Sequence, residues 1–238
     1  DTRFTINQVL GDDYGMRPAS PIGAEWNEQA DAFEDFVMGM TADEVAGIAE
    51  DDADLTASVT VTLSTFQTIV IDAMENAADL GATTSDSVGI GVVGSAGQTK
   101  QEADDNGPAT AVAYNTYAAV AFDADGVVTA IVTDASQAKF AVNDDGTIET
   151  ALDAEILTKY ELGDDYGMRP ASPIGAEWNE QSDSFDEWAT GKTLDDILNV
   201  AVDDSFNPTD EDLSAGVTIV IGDFLGAVEA AAVQAGVR

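Results

Sequence analysis

The stretch Gly11-Asp-Asp-Tyr-Gly-Met-Arg-Pro-Ala-Ser-Pro-Ile-Gly-Ala-Glu-Trp-Asn-Glu-Gln29 returns without a single change as Gly163–Gln181. The residues that follow each copy drift quickly. Of the 21 positions after the copies, residues 30–50 against 182–202, only six are identical. The repeat therefore fixes two equivalent points in the chain, and the rest of the sequence is placed around them. After each copy comes a helix-like stripe, a short second helix, an acidic loop and a last helix. Only the second copy is preceded by a long Val- and Thr-rich region. Residues 85–238 read as one complete unit: a β meander over 85–152, then a helical half over 153–238. Residues 1–84 match only the helical half plus one strand. The expected fold class is α+β, an antiparallel β meander packed by helices, in one complete unit preceded by an incomplete one.

Composition narrows the chemistry. The chain has 238 residues, 46 acidic against 8 basic, a net charge of −38, no histidine and no cysteine. A surface this acidic repels nucleic acid and anionic membranes. Either the acids keep the protein soluble in high salt, where the Debye length falls to roughly 3 Å at 1 M, or they collect divalent cations. Without cysteine there is no disulfide, thiol catalysis or thiolate metal site. Without histidine a Ser-His-Asp triad is excluded. No apolar run is long enough to span a bilayer. The chain opens on Asp and shows no signal peptide, as expected of a processed or trimmed protein.

Within the repeat, Gly11–Ala19 carries loop residues. Ser20-Pro21 reads as a helix N-cap followed by proline at the first helical position, and Ser172-Pro173 likewise. Trp26, Ala30, Phe33 and Val37 then fall at helical spacing. Thr41-x-x-Glu44 and Thr193-x-x-Asp196 are capping boxes opening short helices. Ser58–Leu63 and Val217–Ile221 alternate and read as strands. Phe66, Ile69, Val70, Ala73 and Ala77 mark a further helix ending near Gly81, and Asp223–Ala235 its counterpart. In the meander, strands are expected over Val88–Val93, Ala111–Phe122, Val127–Thr133 and Ala138–Val142, with a loop over 95–108. Hairpin turns are expected at Asp125-Gly126 and Asp145-Gly146. Asp123-Ala-Asp-Gly126 lacks the later ligands of a calcium loop and reads as a turn.

No residue set points to catalysis or to a metal. Each repeat places an arginine, Arg17 or Arg169, among carboxylates. Such an arginine either pins loop to helix through ion pairs or recognises a carboxylate or phosphate beside an aromatic wall. Trp26 and Trp178 continue apolar stripes and read as core anchors more readily than as a stacking platform. A structural loop–helix joint is therefore assigned to Arg17, Trp26, Arg169 and Trp178. A ligand-binding alternative uses Asp164, Asp165, Tyr166, Met168, Arg169, Ser214 and Thr218.

Several motifs carry a resemblance: Leu162-Gly-Asp-Asp-Tyr-Gly-Met168, Ile174-Gly-x-Glu-Trp-x-Glu-Gln181, Gly191-Lys-Thr193, Asp212-Leu-Ser-x-x-Val-Thr218 and Thr133-Asp-Ala-Ser-Gln137. The chain resembles repeat domains of secreted, often lipid-anchored proteins of clostridia-like anaerobic bacteria. That resemblance implies an extracellular or cell-surface location and no activity. More distantly, Ser214-Ala-Gly-Val-Thr218 is similar to the turn of small flavin-binding domains of the electron-transfer type, which implies FMN as an alternative ligand. In that turn, serine and threonine stand four apart instead of three. The expectation is a non-enzymatic surface or structural protein with no cofactor. Its partners are copies of itself: strands of a neighbour complete the incomplete unit, and head-to-tail contacts propagate into a filament.

Overall fold

Two compact units form, one over Thr5–Asp79 and one over Leu80–Arg238 together with Asp1–Phe4. The structure, a computed structural model, describes residues 3–4, 7–100, 102, 108–143 and 145–237. The loop expected over 95–108 falls partly outside them, as do parts of the lead-in before Gly11.

In the first unit, α1 (Asn7–Leu10) runs into a single 3-10 turn at Gly11–Tyr14, followed by α2 (Trp26–Val37), α3 (Ala42–Ala46) and α4 (Leu63–Glu75). Phe33, Val37, Val45, Leu55, Val59 and Leu63 make its core, all buried. The described residues of this unit hold helices and turns but no strand.

In the second unit a four-stranded antiparallel sheet runs β1 (Arg3–Phe4), β2 (Ser87–Ser95), β3 (Ala109–Phe122), β4 (Val128–Val142), in that spatial order. The turn at Asp123–Val127 closes when the Asp123 carboxylate accepts from the amides of Asp125 and Val127, each at 2.9 Å. A second tight turn joins Asn143 to Thr147. The helices follow as α5 (Lys159–Leu162), α6 (Trp178–Ala189), α7 (Leu194–Leu198), α8 (Glu211–Ser214) and α9 (Gly222–Gln234). Helix α9 lies across β2 and β3, and α6 lies along β4. The fold is α+β.

Side chains alternate across a strand, so the sheet has two dissimilar faces. On β2, Gly89 and Gly91 face α9, where a Cβ on either would overlap the carbonyl oxygens of Ala231 and Ala227. With Ala118, Val120 and Phe122 of β3 and Ile131 and Ala135 of β4, this inner face forms one core with Trp178, Phe185, Phe224, Ala227 and Val228. Every core residue of the first unit has a buried counterpart here, after the six-residue insertion before Asp212 is taken into account. Phe185, Ala189, Ile197, Leu213, Val217 and Ile221 replace Phe33, Val37, Val45, Leu55, Val59 and Leu63.

Three expectations are corrected. The strands expected at Ser58–Leu63 and Val217–Ile221 do not form. Their alternation is real, with Val59 and Val217 buried, but no strand lies beside them. A glutamine takes that place: the Gln29 side-chain carbonyl accepts from the amides of Thr60 (2.7 Å) and Val61 (3.1 Å). Gln181 does the same for Thr218 (2.7 Å) and Ile219 (3.2 Å). Helices α2 and α6 begin at the tryptophans, not at Pro21 and Pro173. Ser20-Pro21-Ile22-Gly23 is a turn, Gly23 N–H donating to the Ser20 carbonyl at 3.1 Å, and Glu25 and Glu177 are the N-caps. Finally, Val127–Thr133 and Ala138–Val142 are parts of one uninterrupted strand, β4.

Candidate functional site: the repeated joint and an open helical face

The identical stretch keeps the same hydrogen-bond pattern in both units, though Trp178 is buried and Trp26 only half-buried. Glu25 is almost fully buried. Its carboxylate accepts from the amides of Met16 (2.7 Å) and Arg17 (2.9 Å), while Glu28 reaches back to the Glu25 amide at 2.7 Å. Glu177 accepts from Met168 and Arg169 at 2.8 and 2.7 Å in the same way. Two backbone donors of a loop are thereby tied to a helix start. The Arg17 guanidinium binds Asp12 (2.8 Å), Glu28 (2.9 Å) and the Gly23 carbonyl (2.9 Å). Arg169 binds Asp164 (2.8 Å), Glu180 (2.8 Å) and the Gly175 carbonyl (3.0 Å). The Arg17 hydrogen bond, followed by that from the Glu25 amide, holds the Glu28 carboxyl below its usual range. For Glu180 the Glu177 amide is the larger cause and Arg169 the second.

The residues of the ligand-binding alternative are placed as follows. Asp164 is joined to Arg169, and Asp165 lies with it in the 3-10 turn Gly163–Tyr166. Tyr166 and Met168 pack against the core. Thr218 gives both its amide and its hydroxyl to Gln181, and Ser214 ends α8. The guanidinium that an anion would need is already shared between two carboxylates and a carbonyl. Among the described residues no group of three acids is placed to hold a metal ion.

Sequence reasoning passed over Lys159, which is 6% exposed. Its ammonium bonds the Tyr114 hydroxyl at 3.0 Å and sits 4.7, 4.8 and 5.2 Å from the ring centres of Tyr114, Tyr166 and Trp178. Burial pulls its pKa down to about 8, against the opposing pull of Asp134 and Asp223. The corresponding position in the first unit is Asn7, so no lysine stands there. A lone lysine among aromatics gives no local sequence signal. The glycines of Ser87-Val-Gly-Ile-Gly-Val92 do give one, because period-two glycine in a strand marks a close backbone approach.

The two units differ most on the face of α4 and α2 that corresponds to the sheet-covered face of α9 and α6. The aromatic trio is kept. Trp26 meets Phe66 edge-on at 5.6 Å, and Trp178 meets Phe224 edge-on at 5.6 Å. Phe33 and Phe185 complete the sets. In the second unit this face lies under the sheet. There Thr133 of β4 donates its amide and hydroxyl to Asp186 at 3.0 and 2.8 Å. Ser182 donates to the Thr133 carbonyl at 2.9 Å. In the first unit Glu34 replaces Asp186 and Ala30 replaces Ser182. The face is an open, mainly apolar cavity of about 420 Å³, lined among others by Trp26, Phe33, Val61, Phe66, Ile69 and Val70. Ile69 is 61% exposed where its counterpart Ala227 is 0% exposed. Burial raises the pKa of Glu34, with Asp31 and Asp35 adding to the shift.

No helix among the described residues is long and apolar enough to cross a membrane. Compared with protein-family models, with curated proteins and with solved structures, the chain matches none.

Proposed function

We propose that this is a non-enzymatic structural protein of the cell surface or extracellular space that assembles with copies of itself, the open helical face of the Thr5–Asp79 unit being completed by β-strands of a neighbour. The observation that carries the proposal is the contrast between Ile69, Phe66 and Trp26 in an open cavity and Ala227, Phe224 and Trp178 buried beneath a sheet. Trp26 and Trp178 come from the identical stretch and Phe66 and Phe224 hold equivalent positions, and a face so apolar on a chain this acidic is the kind of patch that marks an interaction site. The absence of histidine and cysteine from the sequence, together with arginines already engaged by carboxylates, supports an assembly role over a catalytic one. The surface location rests on the resemblance of the repeat motifs to secreted proteins. A contact between two different faces of successive copies is heterologous and propagates into a filament or closes into a ring.

Sedimentation velocity of the purified chain over a wide concentration range, at low and at molar salt, tests this. Species growing beyond the monomer support it. A sharp monomer boundary under every condition, with native circular dichroism, would overturn it.

A further inference from the structure

On the assembly proposal just made rests a more specific one: we infer that the surface docking on the open face of the Thr5–Asp79 unit is the outer face of the β-sheet of a second copy, and that strands are not exchanged. The outer face of β2–β4 is the side turned away from α9. Ile90 pairs across the sheet with Ala119, and Ala119 with Val132. One row along, Val88 pairs with Ala121, and Ala121 with Ala130. Side chains directly opposite in neighbouring strands point the same way, so Val88, Ile90, Ala119 and Val132 share one exposed apolar face, while Ala121 and Ala130 beside them are buried. Val88, Ile90 and Val132 are 63%, 56% and 45% exposed. Val132 also borders a cavity of about 300 Å³ between β4 and α6, where Leu80 and Tyr160 meet the acidic side chains of Asp183, Asp186 and Glu187. Exposed apolar side chains grouped on one sheet face are candidates for an interaction surface.

The chain itself shows what covers helices of this sequence, since α6 and α9 lie on a sheet. It also shows why an exchanged meander fits the first unit poorly. The contact of α9 with β2 is backbone to backbone: Gly89 and Gly91 meet the carbonyls of Ala231 and Ala227, and both alanines are fully buried. In α4 the position of Ala227 is held by Ile69, while that of Ala231 is still alanine, Ala73. An isoleucine in place of Ala227 keeps the helix from approaching the glycine strand so closely. A sheet face of Val, Ile and Ala, whose side chains hold a helix further from the strands than glycine does, accepts it. Ala30 in place of Ser182 removes one of the polar stitches that hold α6 to Thr133, and Glu34 keeps a carboxylate in the lining of the otherwise mainly apolar cavity. The donor face and the acceptor face lie on different units, so the contact is head to tail.

Two charge substitutions at exposed positions test this on the full chain: Ile69→Glu on α4 and Ile90→Glu on β2. Near-UV circular dichroism checks that each keeps the native fold. Under conditions where the wild type assembles, each variant alone is expected to stay monomeric, its association weakened at least about tenfold. An equimolar mixture of the two is expected to give a dimer and nothing larger, because one intact face remains on each partner. If the wild type assembles and Ile90→Glu assembles equally well, the outer face is not the partner surface and this inference fails while the assembly proposal stands. If the wild type never assembles, both fail.

Discussion

At the residue scale, Gln29 and Gln181 stand in for a neighbouring strand. Each is fully buried, and each side-chain carbonyl takes two backbone amides and a threonine hydroxyl. Gln181→Leu keeps the volume and strands those donors in the core. An unsatisfied buried donor costs about 1–3 kcal/mol, so a destabilisation of about 3 kcal/mol is expected in urea denaturation. Asp186 gives a second residue-scale outcome. Burial, partly offset by its bonds to Thr133, raises its pKa to about 7, with Asp183 and Asp134 adding to the shift. A carboxyl with a raised folded pKa stabilises the fold while protonated, and that contribution is lost as pH rises from near 4 through about 7. Asp186→Asn is therefore expected to lose less stability than the wild type between pH 5 and pH 8, compared by denaturation midpoints at the two pH values.

At the element scale, α4 and α9 share their phenylalanine and their place in the unit but not their cover. In the monomer, amides of α4 are expected to exchange with deuterium faster than those of α9, since protection follows burial and packing. Assembly should slow exchange in α2 and α4 and leave α9 unchanged. Strand β2 gives a stability contrast between its two faces. Gly91→Ala places a methyl on the Ala227 carbonyl and forces α9 off the sheet, at a cost of about 3 kcal/mol. Ile90→Ala, the adjacent residue on the outer face, changes monomer stability by no more than about 0.5 kcal/mol. Much of this scale was legible in the sequence. The stripe of Trp26, Phe33 and Val37, the capping boxes at Thr41 and Thr193, the turn at Asp125-Gly126 and the meander all follow from local pattern. The strands expected at Ser58–Leu63 and Val217–Ile221 do not form, because alternation reports a buried face and not what satisfies the backbone. Only the folded chain brings Gln29 and Gln181 to those amides, 31 and 37 residues away. The joint was legible as an arginine among acids. The buried carboxylates of Glu25 and Glu177, which bind the loop amides, were not, because a glutamate at an N-cap looks like surface charge.

At the scale of the whole molecule, the net charge of −38 opposes every contact between copies, while the open face of α2 and α4 favours one. Screening decides the balance: the Debye length falls from about 10 Å at 0.1 M salt to about 3 Å at 1 M. Association is expected to strengthen as salt rises, opposite to the behaviour of a complex held by ion pairs; light scattering along a sodium chloride series reads this directly. The natural absence of cysteine allows a more direct measurement of the central claim. One batch of chain carries Ile69→Cys and another Ile90→Cys, and the two are mixed under assembling conditions with a short thiol cross-linker. The account predicts that the mixed dimer, joined through the Ile69→Cys thiol of one chain and the Ile90→Cys thiol of the other, forms rapidly and in excess over dimers from either batch alone. Equal cross-linking in the single batches, or none in the mixture, would contradict it.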